Sequence, residues 1–165
     1  MQKSLSEAVF ENLKELIKAK NAAHESLFKF HWKKLWPFSI IFPQVDFIRI
    51  QRFMGELKTQ ALGQKQFIQN NLGKSVPSEK EFLKAVPAYI DALAVSCDKL
   101  AVIAKFKQDI LEKKQKRDVF AFNHLLNDYQ NAQADLIRAG AFVQVAWGEL
   151  TSQSKKANAC EVQTP

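Results

Sequence analysis

Between Phe122 and Leu150 the apolar residues Phe122, Leu125, Tyr129, Ala132, Leu136, Ala139, Val143, Ala146 and Leu150 follow one another at steps of three and four in strict alternation. A helix of 3.6 residues per turn carries such a set on one side, whereas a strand would scatter it over two faces. The spacing is the heptad seam of helices that cross at about 20°. A chain that holds it must supply further helices for the seam to pack on.

The same spacing recurs three times upstream. Val9, Leu13, Leu16, Ala23, Leu27 and Phe30 repeat at three, four or their sum, and predict a first helix. It begins at Ser4, where Ser4 and Glu7 form a capping box that satisfies free backbone donors, and runs toward Trp36, stopping at Pro37. Phe47, Ile50, Met54, Leu57, Ala61 and Ile68 predict a second helix from about Asp46 to about Gly73, weakened by Gly55 and Gly63. A second capping box, Ser78 to Glu81, opens a third helix that reaches about Lys116, with Val86, Ile90, Leu93, Cys97, Leu100 and Ala104 as its stripe. Pro87 lies too far inside to be a start residue and predicts a kink or a short separate turn. The seam helix runs from about Asp118 to Leu150, and residues 151–165 read as a polar, disordered tail. Five glycines and five prolines in 165 residues are too few for a strand-rich fold with many turns. The expected fold is all-α: four long amphipathic helices in one domain, residues 1–150, as an up-and-down antiparallel bundle or an elongated helical hairpin.

No arrangement of residues along the chain points to catalysis. Cys97 and Cys160 form no CxxC pair, and Cys97 sits on a helical stripe as a small buried hydrophobe. His24, His31 and His124 occur in neither Glu-x-x-His nor His-Glu-x-x-His, so they read as surface or capping residues rather than metal ligands. Gly63-Gln64-Lys65 lacks the spacing of a phosphate-binding loop, and Asp91 and Asp98, a heptad apart, read as a solvated face. The expectation is a non-enzyme with no cofactor, no metal and no small-molecule substrate. The first eighteen residues, charged and periodic, lack the apolar core of a signal peptide. Phe38 to Phe42, bounded by Pro37 and Pro43, is far short of the roughly 20 residues of a spanning helix. A cytoplasmic protein, peripheral to membrane at most, is therefore expected.

A formal net charge of +7 favours an anionic partner. Two segments concentrate that charge. From Phe28 to Phe38, Lys29, Lys33 and Lys34 alternate with Phe30, Trp32 and Trp36, as in chains that sit at a lipid headgroup boundary or stack on nucleic-acid bases. The bland alternative is that the aromatics close the end of the core while the lysines reach outward. Lys113, Lys114, Lys116 and Arg117 cluster where the third helix turns into the fourth, a place where the helix dipole alone favours positive charge.

The stretch from Asp118 to Tyr129, with Leu125, Leu126 and Asp128 before the tyrosine and Trp147 further along, resembles the Leu-Leu-x-Asp-Tyr helix of the BAR domains of sorting nexins. Gln66-Phe67, Leu72-Gly73, Leu93-Ala94 and Lys99-Leu100 extend the resemblance over roughly residues 56–150. It implies a BAR-like helical hairpin that self-associates and contacts anionic membrane.

The expected function is thus a helical scaffold or interaction module. Lys29, Trp32, Lys33, Lys34, Trp36, Lys113, Lys114, Lys116 and Arg117 would form a basic, aromatic edge for anionic membrane. Phe122, Leu125, Tyr129, Leu136, Val143 and Leu150 would form a packing or self-association seam. The expected partner is another protein or a second copy of the chain. A nucleic-acid-binding bundle and a protein-specific adaptor or chaperone without membrane contact are the alternatives.

Overall fold

The computed structural model describes residues 4–28 and 45–161. They form four helices: α1 (Leu5–Phe28), α2 (Phe47–Asn71), α3 (Pro77–Leu111) and α4 (Val119–Glu161), with a 3-10 turn at Leu72–Lys74 between α2 and α3. Among the described residues there is no strand.

Local signals account for most of the boundaries. At α1 the Ser4 hydroxyl accepts from the Glu7 N–H while the Ser4 N–H donates to Glu7, both at 3.2 Å, the reciprocal pair of a capping box. Asp46 caps α2 by accepting from the Arg49 N–H at 2.8 Å. The second expected capping box does not form. Here α3 starts at Pro77 with Val76 as its N-cap, because proline's fixed φ and missing N–H suit the first helical position. Pro87 introduces no separate turn, and α3 is one continuous helix with the proline inside it. Phe82, Leu83 and Val86 before Pro87 and Ile90 and Leu93 after it are all fully buried, and that packing outweighs the lost backbone hydrogen bond.

The expected end of α3 at Lys116 moves back to Leu111. The Lys113 N–H bonds to the Ile110 carbonyl and the Lys114 N–H to the Asp109 carbonyl, the two bonds of a Schellman motif, with Lys113 at φ 56° where glycine is usual. α4 runs past its expected end at Leu150 to Glu161, so residues 151–161 are helix rather than unstructured tail. Nothing between Thr151 and Glu161 is glycine or proline, so no breaker stops it.

The helices alternate in direction. Lys58 meets Asp98 and Lys65 meets Asp91, each at 2.7 Å, which sets α2 antiparallel to α3. Lys99 meets Asp128 at 2.8 Å and Phe106 packs on Phe122, which sets α4 antiparallel to α3. α1 runs parallel to α3, with Phe10 against Phe82 at one end and the Lys107 amine on the Leu27 carbonyl at the other. The result is an up-and-down bundle. α3 is its centre, buried over a broad arc because α2 and α4 flank it and α1 lies across it. No Cα of α1 comes within 8 Å of one on α4 among the described residues. Those two helices meet instead through large rings, Phe10 on Trp147 and Phe28 on Tyr129.

Every stripe residue named for the four helices that falls within the described residues is buried or half-buried; Phe30 lies outside them. No described helix is long and apolar enough to cross a membrane.

Candidate functional site

The turn between α3 and α4 combines exposed charge with exposed apolar surface. Lys113, Lys114, Lys116 and Arg117 are all exposed, and beside them stand Leu111, Val119 and Phe120, the last 88% exposed. Asp118 is tied into the start of α4, its carboxylate accepting from the Ala121 N–H at 3.0 Å. Lys114 pairs with Glu112, which raises the lysine's pKa and, with the Gln108 amide, lowers that of the carboxyl. Among the described residues Lys113, Lys116 and Arg117 form no ion pair.

Lys107 bonds to Leu27 and lies over the Phe28 ring, and Phe47, which opens α2 antiparallel to α3, belongs to the same end. Phe28 and Val45, the described residues that flank 29–44, therefore lie at the end of the bundle that carries the α3–α4 turn. Lys29, Trp32, Lys33, Lys34 and Trp36 lie outside the described residues.

Of the expected seam, Tyr129, Leu136, Val143 and Leu150 are buried and Phe122 and Leu125 half-buried within the single chain. Their packing role is met by α3 and α1, and self-association through them would have to displace that packing. Ile137, Phe142 and Val145 instead form exposed apolar positions along α4.

Deeper in the bundle lies a polar cluster that the sequence reading missed. Lys20 of α1 is 1% exposed. Its amine stands 5.5 Å from the centre of the Tyr129 ring, and no carboxylate pairs with it among the described residues. Burial lowers its pKa from 10.5 to about 8, while Cys97 acts in the opposite sense. The Tyr129 hydroxyl meets His24 Nδ1 at 2.8 Å and accepts from the Gln133 amide. Burial pushes the Tyr129 phenol up to about 12 against the pull of Gln133. The buried Ser96 hydroxyl lies near enough to moderate that rise but falls short of hydrogen-bond geometry. His24, expected at the surface, is half-buried here, and its pKa is lowered by burial and then by Lys20. Cys97 is fully buried as expected, its thiol pushed up to about 11 by burial. A protonated, enclosed thiol is a poor nucleophile.

His124 is exposed, 3.7 Å from Asp128, and His31 lies outside the described residues. Asp91 and Asp98 are exposed but engaged in the α2–α3 ion pairs. Among the described residues no three His, Cys, Asp or Glu side chains gather as a metal site would require.

A signal for Lys20 was present in the stripe of α1. Leu16 and Ala23 are seven apart, and the position that completes the three-four alternation between them is Lys20. The gap from Ala61 to Ile68 in α2 is filled in the same way by Gln64, also buried, whose amide donates to the Val9 carbonyl at 3.2 Å. A polar residue inside a stripe is a buried polar residue.

Comparison with known proteins finds no matching family, no matching curated protein and no matching solved structure.

Proposed function

We propose that this protein is a non-enzymatic helical interaction module that docks on anionic membrane surface through the end of the bundle that carries the α3–α4 turn. The observation that carries the reading is the company kept by Phe120: an almost fully exposed ring, flanked by exposed Leu111 and Val119, amid three basic side chains with no ion pair among the described residues. Apolar residues that enter the headgroup boundary, ringed by cations that meet lipid phosphates, are the two components of peripheral binding. The backbone supports it as well. Lys113 occupies a left-handed position that glycine would fill with less strain, so a charged side chain is held there at a cost to stability. The resemblance to sorting-nexin BAR domains points to the same kind of partner.

The test is co-sedimentation with vesicles of neutral and of anionic lipid, at low and high salt, with RNA as competitor. Binding to anionic vesicles that weakens with salt and survives RNA is expected. At about 1 kcal/mol per basic residue, replacing Lys113, Lys116 and Arg117 by glutamine lowers affinity roughly a hundredfold. Binding unchanged by those substitutions, or captured entirely by RNA, contradicts the reading, and the second result favours a nucleic-acid partner.

A further inference from the structure

The α3–α4 turn borders a pocket of about 390 Å³. That lies within the roughly 300–1,000 Å³ of small-molecule sites. Its apolar walls are Phe106 and Ile110 from the last turns of α3 and Val119 and Phe122 from the first turn of α4, with the Phe106 and Phe122 rings 6.0 Å apart. Phe106 is buried and Ile110 and Phe122 are half-buried, whereas Val119 and Arg117 are exposed and form the rim.

Three charged side chains complete the lining, and two of them are committed within the chain. The Lys107 amine is held by the Leu27 carbonyl at 3.0 Å, and the Asp118 carboxylate accepts from the Ala121 N–H. Arg117 has no ion pair among the described residues, and neither have Lys113 and Lys116 of the same turn. An apolar pocket with a guanidinium at its rim matches an amphiphile whose chain enters while its anionic head stays outside. The charges select the head. A guanidinium meets phosphate oxygens through two parallel hydrogen bonds. A phosphate monoester carries about −1.5 to −2 at neutral pH, more than a carboxylate, and three cations without ion pairs outweigh the one Asp118 carboxylate beside them.

We propose that this pocket takes up the aliphatic chain of a membrane lipid with a phosphate monoester head, the head resting on Arg117 with Lys113 and Lys116. The site rests on the docking of the same end of the bundle on anionic membrane, and adds to it a place for one lipid molecule. Docking by charge and by the Phe120 ring needs no pocket. A pocket makes binding saturable, one lipid per chain, and independent of a bilayer.

The experiment is calorimetric titration of the full chain with decyl phosphate below its micelle concentration, beside decanoate, decanol and inorganic phosphate. One-to-one binding of decyl phosphate is expected. Decanol should bind about tenfold more weakly or worse, for want of a charged head, and decanoate should fall between the two. Inorganic phosphate should bind more than about a hundredfold more weakly than decyl phosphate, since each methylene buried is worth about fourfold in affinity. Arg117→Gln should weaken decyl phosphate about tenfold more than decanol. Ile110→Trp, which fills the pocket from a half-buried position, should weaken both about tenfold, with thermal melting to show that the chain is folded. No binding of decyl phosphate by the wild-type chain, decanol or decanoate binding as tightly, a preference for phosphate untouched by Arg117→Gln, or full binding by a folded Ile110→Trp chain each overturns the proposal. Co-sedimentation with anionic vesicles separates its failure from that of docking: a chain that docks on vesicles but does not bind decyl phosphate has the docking end without the lipid pocket, and a chain that does neither has lost both.

Discussion

A lysine amine enclosed by α1, α3 and α4 ties stability to pH in a direction opposite to most ion pairs. Lys20 titrates at about 8 in the fold against 10.5 in the open chain, so between those values the unfolded chain holds more protons and stability rises with pH. Below about pH 8 both states are charged and the fold carries the full penalty, about 3 kcal/mol. The Cys97 thiol opposes this from pH 9 upward. Its folded value of about 11 lies above its ordinary 9.0, and stability from it is lost as the unfolded thiol ionises first. Urea unfolding should therefore show stability climbing from pH 7.5 to about 9 and then levelling. Lys20→Met should raise stability at pH 7 by about 2–3 kcal/mol, with the gain shrinking at pH 9.5. An equal gain at both pH values would contradict the assignment. On the acid side, His24 has a lowered pKa, so stability should fall as pH drops below the ordinary histidine value of 6.5. The seven-residue gap between Leu16 and Ala23 made Lys20 legible as an interruption of the stripe. Its lack of a partner was not legible, because that depends on which side chains α3 and α4 bring opposite it.

Helix ends and helix interiors answer to different forces, and the boundaries divide accordingly. Where a capping side chain or a proline sets the end, as at Ser4, Asp46 and Pro77, one or two residues decide it. The end of α3 is set by the Schellman turn at Lys113, a signal hidden because the usual glycine is missing. Restoring it gives a sharp prediction. Lys113→Gly should stabilise the protein by about 1 kcal/mol while weakening binding to anionic vesicles, a split that thermal melting and co-sedimentation would resolve. Glycines inside helices should behave according to their surroundings. An added Cβ at Gly55 or Gly63 meets nothing within 4 Å, so alanine at either should add about 0.5–1 kcal/mol. Gly140→Ala should gain less or lose stability, because its Cβ presses on the Tyr89 ring. Equal gains at all three positions would show that the α3–α4 contact yields without cost.

At the scale of the whole molecule, the number of helices and their inward faces were readable because periodicity alone fixes them. An up-and-down bundle was one of the two arrangements that four amphipathic helices with short connections imply, but which helix takes the centre was not readable. The heptad seam of α4 predicts a partner helix but not which one, and the chain satisfies it with its own α3 and α1. The opening between α1 and α4 arises because Phe10, Trp147, Phe28 and Tyr129 hold two backbones apart, a consequence of ring size that no spacing rule records. The same packing sets the α3–α4 turn at the end where α1 finishes and α2 begins. Amide hydrogen exchange of the full chain with and without anionic vesicles locates the docking surface directly. The docking account predicts slowed exchange within residues 111–122, abolished when Lys113, Lys116 and Arg117 are replaced by glutamine, with little change along the middle of α4. Unchanged exchange in the turn, or protection centred instead on Ile137, Phe142 and Val145, would contradict it.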